Sequence, residues 1–457
     1  MGVDVVVLAA GKGTRMKSQI PKVLHQVCNK PMLWHILSAA KQVSVNQTVV
    51  VGYGKQQVQE FLLDKFCSDN LYTVEQTQQL GTGHAVLCAR NHLQNEQTLV
   101  LLGDTPLITE EELSGLIDYH NKNDSAVSVL TAKENNPQGY GRIIRDSTNM
   151  VKQIVEESDA SEQEKNITEI NTGIMIFKTS ELLEVLDNLQ ADNQQGEYYL
   201  TDAIEIMYNR DRTVSGYQIT KTYRTMGIND RSELAKAEDL MSRDINDRWM
   251  KSGVTIIDPA RTYIDPEAYI GNDTVIYPGT QILGSSKIGS SCILGSETEI
   301  NNSNIEDNCQ IEKSKVVDSF IGGGTSIGPY AHIRPGSVIA QEVRIGNFVE
   351  VKNSNIGFGS KANHLAYIGD AEIGSDVNLG AGTVIVNYDG VSKHKTIIKD
   401  RAFIGCNSNL VAPVTIEEGA FVAAGSTVTD NVPSDSLAIA RARQINKHDW
   451  VKKKSNS

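Results

Sequence analysis

The apolar positions of this chain keep two different rhythms. Over roughly the first 230 residues, short aliphatic runs alternate with stretches whose apolar residues recur at helical spacing. Val3–Leu8 is almost entirely aliphatic, as a strand buried on both faces requires. Thr48–Gly52, Thr98–Leu102, Ala126–Leu130 and Gly173–Phe177 read the same way, while Pro31–Val43, Glu110–Asn121 and Ser180–Leu189 read as helices. Strands alternating with helices predict an α/β domain with a mostly parallel, Rossmann-like sheet over residues 1–230. In 231–251, Leu234, Met241, Ile245 and Trp249 recur at helical spacing among charged residues, and Gly253 can stop the helix, so one amphipathic connecting helix is expected.

After Gly253 the period becomes six. Ile264, Ile270, Ile276, Ile282, Ile288, Leu294 and Ile300 form one unbroken run; Ile321, Ile327, Ile333, Ile339, Ile345 and Val351 form a second. Ile398, Ile404, Leu410, Ile416, Val422 and Val428 form a third. Neither a helix nor a hairpin sustains a period of six. A parallel β-helix of hexapeptide repeats does, because each six-residue side turns one aliphatic residue inward, and Gly and Asn accept the φ > 0 that its corners need. Three sides make a coil of about 18 residues, so 264–428 corresponds to about nine coils, each about 4.8 Å tall. Between Ile385 and Ile398, 13 residues stand where six are expected, so the polar stretch 387–396 must leave the coil as a loop. The β-helix domain is assigned to 252–457.

Composition narrows the function. The net charge is −13, and neither half hides a cationic module: residues 1–251 carry 25 basic against 34 acidic groups, and 252–457 carry 18 against 22. A nucleic-acid partner is therefore not expected. No apolar run approaches the roughly 20 residues of a membrane span. Cysteines 28, 67, 88, 292, 309 and 406 show no CxxC spacing, which fits a reducing cytoplasm.

Chemistry concentrates in a few segments. Leu8-Ala9-Ala10-Gly11-Lys12-Gly13-Thr14-Arg15-Met16 follows the first strand, where small residues let backbone N–H groups approach phosphate. It is not a Walker A loop, because Val6 stands where the first glycine would be. It is not a dinucleotide fingerprint, because Met16 stands at the third glycine. A plain tight turn would fit the loop by itself, but Arg15 and Lys22 add two cations for a polyphosphate. Asp104 closes the Thr98–Leu102 strand, at the end where open α/β sheets bind ligands; a turn or cap role is its alternative. In the β-helix, His364 lies within Lys361-Ala362-Asn363-His364-Leu365-Ala366-Tyr367-Ile368-Gly369-Asp370, and neutral histidine is the ordinary general base near neutral pH.

Gly11-Lys12-Gly13-Thr14-Arg15-Met16 with Pro21-Lys22 resembles the signature of sugar-nucleotide pyrophosphorylases. Gln79-Leu80-Gly81-Thr82-Gly83-His84-Ala85, Gly103-Asp104-Thr105-Pro106-Leu107, Gly139-Tyr140-Gly141-Arg142-Ile143, Ile154-Val155-Glu156-Glu157 and Glu169-Ile170-Asn171-Thr172-Gly173 resemble its later motifs, in order. With the hexapeptide segment behind them, residues 3–443 resemble the bacterial bifunctional family that joins N-acetylglucosamine-1-phosphate uridyltransferase to glucosamine-1-phosphate N-acetyltransferase. The resemblance implies a Rossmann-like nucleotidyltransferase domain followed by a left-handed parallel β-helix. It implies that Leu8, Ala9, Ala10, Gly11, Gln76, Gly81 and Thr82 hold uracil and ribose, with Gly103 beside them, and that Arg15 and Lys22 meet the phosphates. Gly141, Glu156 and Asn171 would hold the amino sugar, and Asp104 and Asn229 would bind Mg²⁺.

In the second domain it implies His364 as catalytic base, and Arg334, Lys352, Tyr367 and Asn378 on the sugar phosphate. Ala381, Asn387, Tyr388, Cys406, Ala424 and Arg441 would contact acetyl-CoA. Leu102 and Cys406 depart from the Tyr and Ser of some relatives. The expected ligands are glucosamine 1-phosphate, N-acetylglucosamine 1-phosphate, UTP and acetyl-CoA, with a homotrimer as the assembly. All are anions, so Arg15, Lys22, Arg334, Lys352, Arg441 and Mg²⁺ must act locally against the net charge. Lys452–Lys454 fit either CoA phosphates or a solvated tail. The alternative is a single-function pyrophosphorylase with a regulatory β-helix; the His364 motif and the 387–396 loop count against it.

Overall fold

The computed structural model describes residues 2–66 and 70–454, and Cys67 lies outside them. The chain divides into two compact units, Met1–Met241 and Ser242–Ser457.

The first unit alternates as the sequence predicts, with elements the hydrophobic pattern left unmarked. In chain order these are β1 (Val3–Ala9), α1 (Met32–Lys41), β2 (Asn46–Val51), α2 (Lys55–Lys65), β3 (Leu71–Glu75), α3 (Thr82–Cys88), β4 (Gln97–Leu102), α4 (Glu110–Lys122), β5 (Val127–Lys133), β6 (Arg142–Arg145), β7 (Val151–Val155), β8 (Glu169–Lys178), α5 (Thr179–Leu186), α6 (Asp202–Asn209) and β9 (Val214–Gln218). The sheet runs β9-β5-β8-β4-β1-β2-β3, with the β6–β7 hairpin attached to β8. All pairings along this path are parallel except those of β8, which runs antiparallel to β4 and β5. Val5 and Val7 of β1 bury on one face of the sheet and Val6 on the other, in two separate cores. That two-sided burial is why β1 reads as continuous aliphatic sequence rather than as alternation. Helix α4 starts on a capping box in which Thr109 and Glu112 exchange hydrogen bonds. The connecting helix α7 spans Arg231–Lys251, so the division at 241 falls inside it.

The second unit is a three-sided stack of short parallel strands in sheets of 11, 10 and nine. The expected inward residues, Ile264 through Val428, are buried. The two phase breaks are explained by shortened sides. Ile305, Ile311 and Val316 carry the inward position between Ile300 and Ile321, and Ile356, Ala362, Ile368, Ile373, Leu379 and Ile385 carry it from Val351 towards Ile398. Sides of five residues replace some sides of six, so the register slips in sequence while the stack continues unbroken in space. The inserted loop occupies 387–395. Thr396 already belongs to strand Thr396–Ile398, one residue earlier than the sequence implies, and its buried side chain supports that placement.

Candidate active sites

In the first unit, the chain turns sharply after β1. Gly13 has φ 58°, and a Cβ there would meet the Lys22 side chain at 2.6 Å, so glycine serves both the backbone and the close approach. Gly103 follows β4, and its N–H donates to the Leu8 carbonyl at 2.9 Å, bringing the ends of the two central strands together. Two adjoining cavities open there. One, of about 360 Å³, is lined by Leu8, Ala9, Ala10, Gly11, Lys22, Gln76, Gly81, Thr82 and Asp104. The other, of about 310 Å³, is lined by Leu8, Arg15, Thr82, Asp104, Gly141, Glu156, Asn171 and Asn229. Leu8, Thr82, Leu102 and Asp104 border both. The residues expected at the sugar, Gly141, Glu156 and Asn171, line only the second cavity, together with Arg15, while Leu8 and Thr82, expected at the nucleotide, and Asp104 lie on the boundary.

The polar groups are held in place. Gln76 is buried and donates to the Gly81 carbonyl at 3.0 Å. Gly141 O accepts from the Asn171 backbone N–H at 2.8 Å, and Asn171 Oδ1 accepts from Gly173 N–H at 2.9 Å. Burial raises the Glu156 carboxyl above the ordinary range despite the hydrogen bond it accepts from Thr201 at 3.2 Å. The Leu102 side chain lies over Gly173, where an added Cβ would meet it at 2.5 Å, so this departure packs into a glycine-shaped space.

Lys22 Nζ pairs with the Asp104 carboxylate and donates to Asn229 Oδ1 at 3.1 Å. The two oxygens assigned to Mg²⁺ therefore converge on one cation. One carboxylate and one amide oxygen are hard donors, and too few to close a shell, as suits Mg²⁺ shared with phosphates and water. Among the described residues, no group of three or more His, Cys, Asp or Glu forms a metal site.

In the second unit, strands Arg344–Asn347, Lys361–His364, Asn378–Leu379, Phe403–Ile404 and Phe421–Val422 are neighbours in the 11-stranded sheet. Their pairing aligns Ile345, Ala362, Leu379, Ile404 and Val422. The residues two positions further on therefore form one column at the corner: Asn347, His364, Ala381, Cys406 and Ala424. Backbone bonds continue this register from Leu365 N to Asn347 O, Asn407 N to Ala381 O and Gly425 N to Cys406 O, while Gly382 N reaches Leu365 O, one residue beyond His364. Glycines admit the tight stacking; a Cβ on Gly380 would meet Cys406 N at 2.6 Å. His364 is exposed at the foot of the three expected acetyl-CoA residues, and Arg441 reaches Gly425 at their top. Cys88, Cys292, Cys309 and Cys406 are free thiols.

The expected sugar-phosphate residues lie in and beside the same stack. Arg334 is paired with Glu350 at 2.7 Å. Tyr367 lies in strand Tyr367–Gly369, which pairs with Glu350–Lys352, and Asn378 pairs with Lys361. Asn387 is buried and donates to Asp370 at 2.5 Å. Burial pulls the Asp370 carboxyl up, but hydrogen bonds from Asn353 and Asn387, with Lys352 and Lys393 nearby, leave it below its ordinary value. Tyr388 is exposed, and its hydroxyl donates to Gly390 O at 2.7 Å.

A profile of the MobA-like NTP transferase domain matches residues 5–200, and one of the GMPPB C-terminal domain matches 255–362. The chain is 51% identical to the bifunctional protein GlmU of Shouchella clausii over 451 residues, 98% of each chain. It is 50% identical to the bifunctional protein GlmU of Clostridioides difficile over 457 residues, 100% of this chain and 98% of the relative. It is 54% identical to that of Geobacillus thermodenitrificans over 449 residues, 98% and 97% of the two chains. The chain belongs to the GlmU family.

Within this GlmU-family chain, the geometry adds residues that the sequence reading did not assign. Gln79 donates to Ala10 O at 3.0 Å and lines the first cavity; it stood inside a quoted motif without a role. Thr201 touches Glu156, and burial with surrounding carboxylates raises Asp202, next to Thr201, to about 6. Neither has a local sequence signal. Lys393, in the inserted loop, stands against Lys352, whose ammonium holds the Lys393 pKa below its ordinary value. A polar insertion carrying a lysine was the signal that could have found it.

Proposed function

We propose that the β-helix acetylates glucosamine 1-phosphate with acetyl-CoA, and that the α/β domain transfers UMP from UTP to the resulting N-acetylglucosamine 1-phosphate, releasing pyrophosphate. What carries this reading is the corner column, which sets His364 directly beneath Ala381, Cys406 and Ala424. A pantetheine laid along those small residues delivers its thioester to the imidazole. The neutral amine of the sugar attacks the thioester carbonyl, His364 accepts the amine proton, the C–S bond breaks, and the imidazolium returns that proton to the sulfur so that CoA leaves as the thiol. Lys352, Lys393 and Arg334 hold the sugar phosphate, with Tyr367 and Asn378 on the sugar; Asn387, Tyr388 and Arg441 complete the CoA contacts.

In the α/β domain, no protein base is needed, because the attacking phosphate oxygen is already anionic. It attacks the α-phosphorus of UTP, and the bond to the bridging oxygen breaks towards pyrophosphate. Gln76, Gly81, Thr82 and the Leu8–Gly11 turn, with Gly103, orient the nucleotide, and Gly141, Glu156 and Asn171 orient the sugar. Arg15 and Lys22 offset the repulsion between the two anions. Asp104 and Asn229 would hold Mg²⁺, which supplies charge stabilisation to the phosphates; Lys22, now paired with both, is then released to the phosphates.

The assembly is a homotrimer with acetyltransferase sites shared between subunits, in the cytoplasm. Among the described residues, no helix is long and apolar enough to cross a membrane. Incubation with glucosamine 1-phosphate, acetyl-CoA, UTP and Mg²⁺ should yield UDP-N-acetylglucosamine, pyrophosphate and free CoA. Formation of the nucleotide sugar only when N-acetylglucosamine 1-phosphate is supplied ready-made would reduce the β-helix to a regulatory element.

A further inference from the structure

We infer that Asn347 is a positioning residue that fixes the protonation pattern of His364; this rests on the reading of His364 as base. The two residues are partners in adjacent coils, and His364 Nδ1 lies 2.5 Å from Asn347 Oδ1. An amide oxygen only accepts, so Nδ1 carries the proton and Nε2 is left with a lone pair. That is the tautomer a base needs if Nε2 faces the amine. Asn347 also anchors the backbone beside the ring, because its carbonyl accepts the Leu365 N–H at 3.0 Å.

The local chain is built around this contact. Phe348 and Leu365, the residues after Asn347 and His364, both take positive φ, 57° and 49°. A bulky side chain rarely adopts that region. The two corners therefore turn in the same way and send the two preceding side chains out in parallel, one coil apart. Gly346 permits the close approach, since a Cβ there would meet Asn363 O at 1.8 Å. Asn347 is half-buried and His364 exposed. The charged and titratable groups on the flanking strands are Arg344 and Lys361, three residues earlier on the same two strands, and Glu350, Lys352 and Tyr367 across the corner.

The test uses the full chain and measures acetyl transfer against pH, with uridylyl transfer as a control in the same preparation. Asn347→Leu removes the acceptor. It should lower kcat about 10- to 100-fold, part of the range open to general base catalysis, while KM for both substrates stays within about twofold. Asn347→Asp keeps an acceptor and adds a charge. It should retain kcat within about fivefold and move the acidic limb of kcat/KM up by about one pH unit, since a carboxylate favours imidazolium. Unchanged kcat in Asn347→Leu would overturn the inference. So would equal losses in the two variants with an unmoved pH profile. If Asn347→Leu also loses uridylyl transfer, its fold is damaged and the near-isosteric Asn347→Asp decides. Full acetyl transfer by His364→Ala would sink the catalytic reading itself rather than the role of Asn347.

Discussion

The two proposed active sites are built by opposite means. In the α/β domain, residues from Leu8 to Asn229 come together because strands β1 and β4 are adjacent in the sheet and several loops end near them. In the β-helix, one residue per coil is delivered to one corner by a repeating register. The first construction tolerates varied loops but needs the whole sheet. Within one chain, the second needs only neighbouring coils. The contrast predicts that damage should be confined by activity.

The sharpest break of the comparison is a crossed pair. Asp104→Asn keeps the size of the side chain and removes the charge that meets Lys22 and, by the proposal, Mg²⁺. Uridylyl transfer should fall about 10²- to 10³-fold, comparable to losing one well-placed electrostatic group, with acetyl transfer unchanged. His364→Ala should do the reverse. Assays of both activities in each preparation check this, and loss of both in either variant would mean that the two sites are not independent.

Core truncations extend the comparison from chemistry to packing. Leu101, on β4, and Ile404, inward on the β-helix, are both fully buried. Each change to Ala should cost about 2–5 kcal/mol. Because a solenoid coil contacts only its neighbours, Ile404→Ala should loosen the Ala381–Cys406–Ala424 column and raise the KM for acetyl-CoA, with uridylyl transfer intact. Leu101→Ala should lower the heat resistance of uridylyl transfer alone. Heat inactivation followed by the two activities separates these outcomes.

How much of this was legible in the sequence follows from the same contrast. A period of six is local, so the β-helix and its inserted loop could be read directly, and His364 stood in a motif. The five-residue sides could not be read, because a shortened corner carries no periodic signal; only the stacking shows that Ile305 or Ile373 continues the inward row. In the α/β domain, buried strands announced themselves, but β3, with its exposed residues, and the β6–β7 hairpin did not. The site was readable mainly through resemblance. No spacing rule links Thr201 to Glu156, 45 residues apart, or Lys22 to Asn229, 207 residues apart. Nor could the register between Asn347 and His364 be placed before coil lengths of 17 were known.

The loop lysine offers a smaller effect. Lys393→Ala removes one of two adjacent ammonium groups, so the KM for glucosamine 1-phosphate in acetyl transfer should rise about tenfold, the value of one exposed charge-assisted contact. Its kcat should move little, and uridylyl transfer not at all. Equal KM in the variant and the native chain, from initial rates at varied sugar phosphate, would remove Lys393 from the site.

The smallest effect concerns acid. Among the described residues, the buried histidines are His25, His35 and His120, all in the first unit. Burial lowers His35 to about 4, and burial with nearby Lys178 lowers His120 to about 4. His120 Nδ1 lies 2.9 Å from Ser128 Oγ, while its Nε2 is buried without a partner, so an added proton there finds no acceptor. Both values lie below the ordinary 6.5. The unfolded chain therefore binds more protons between pH 6.5 and 4, and stability is full above 6.5 and lost as pH falls towards 4. At pH 6 the loss is about 1 kcal/mol or less per histidine, growing steadily below that. The inward β-helix row is aliphatic and has no such term. Acidification from pH 7.5 to 5.5 should thus lower the heat resistance of uridylyl transfer before that of acetyl transfer, when both activities are assayed after return to neutral pH. His120→Gln, which cannot titrate, should flatten part of that slope; an unchanged slope would assign the acid sensitivity to other groups.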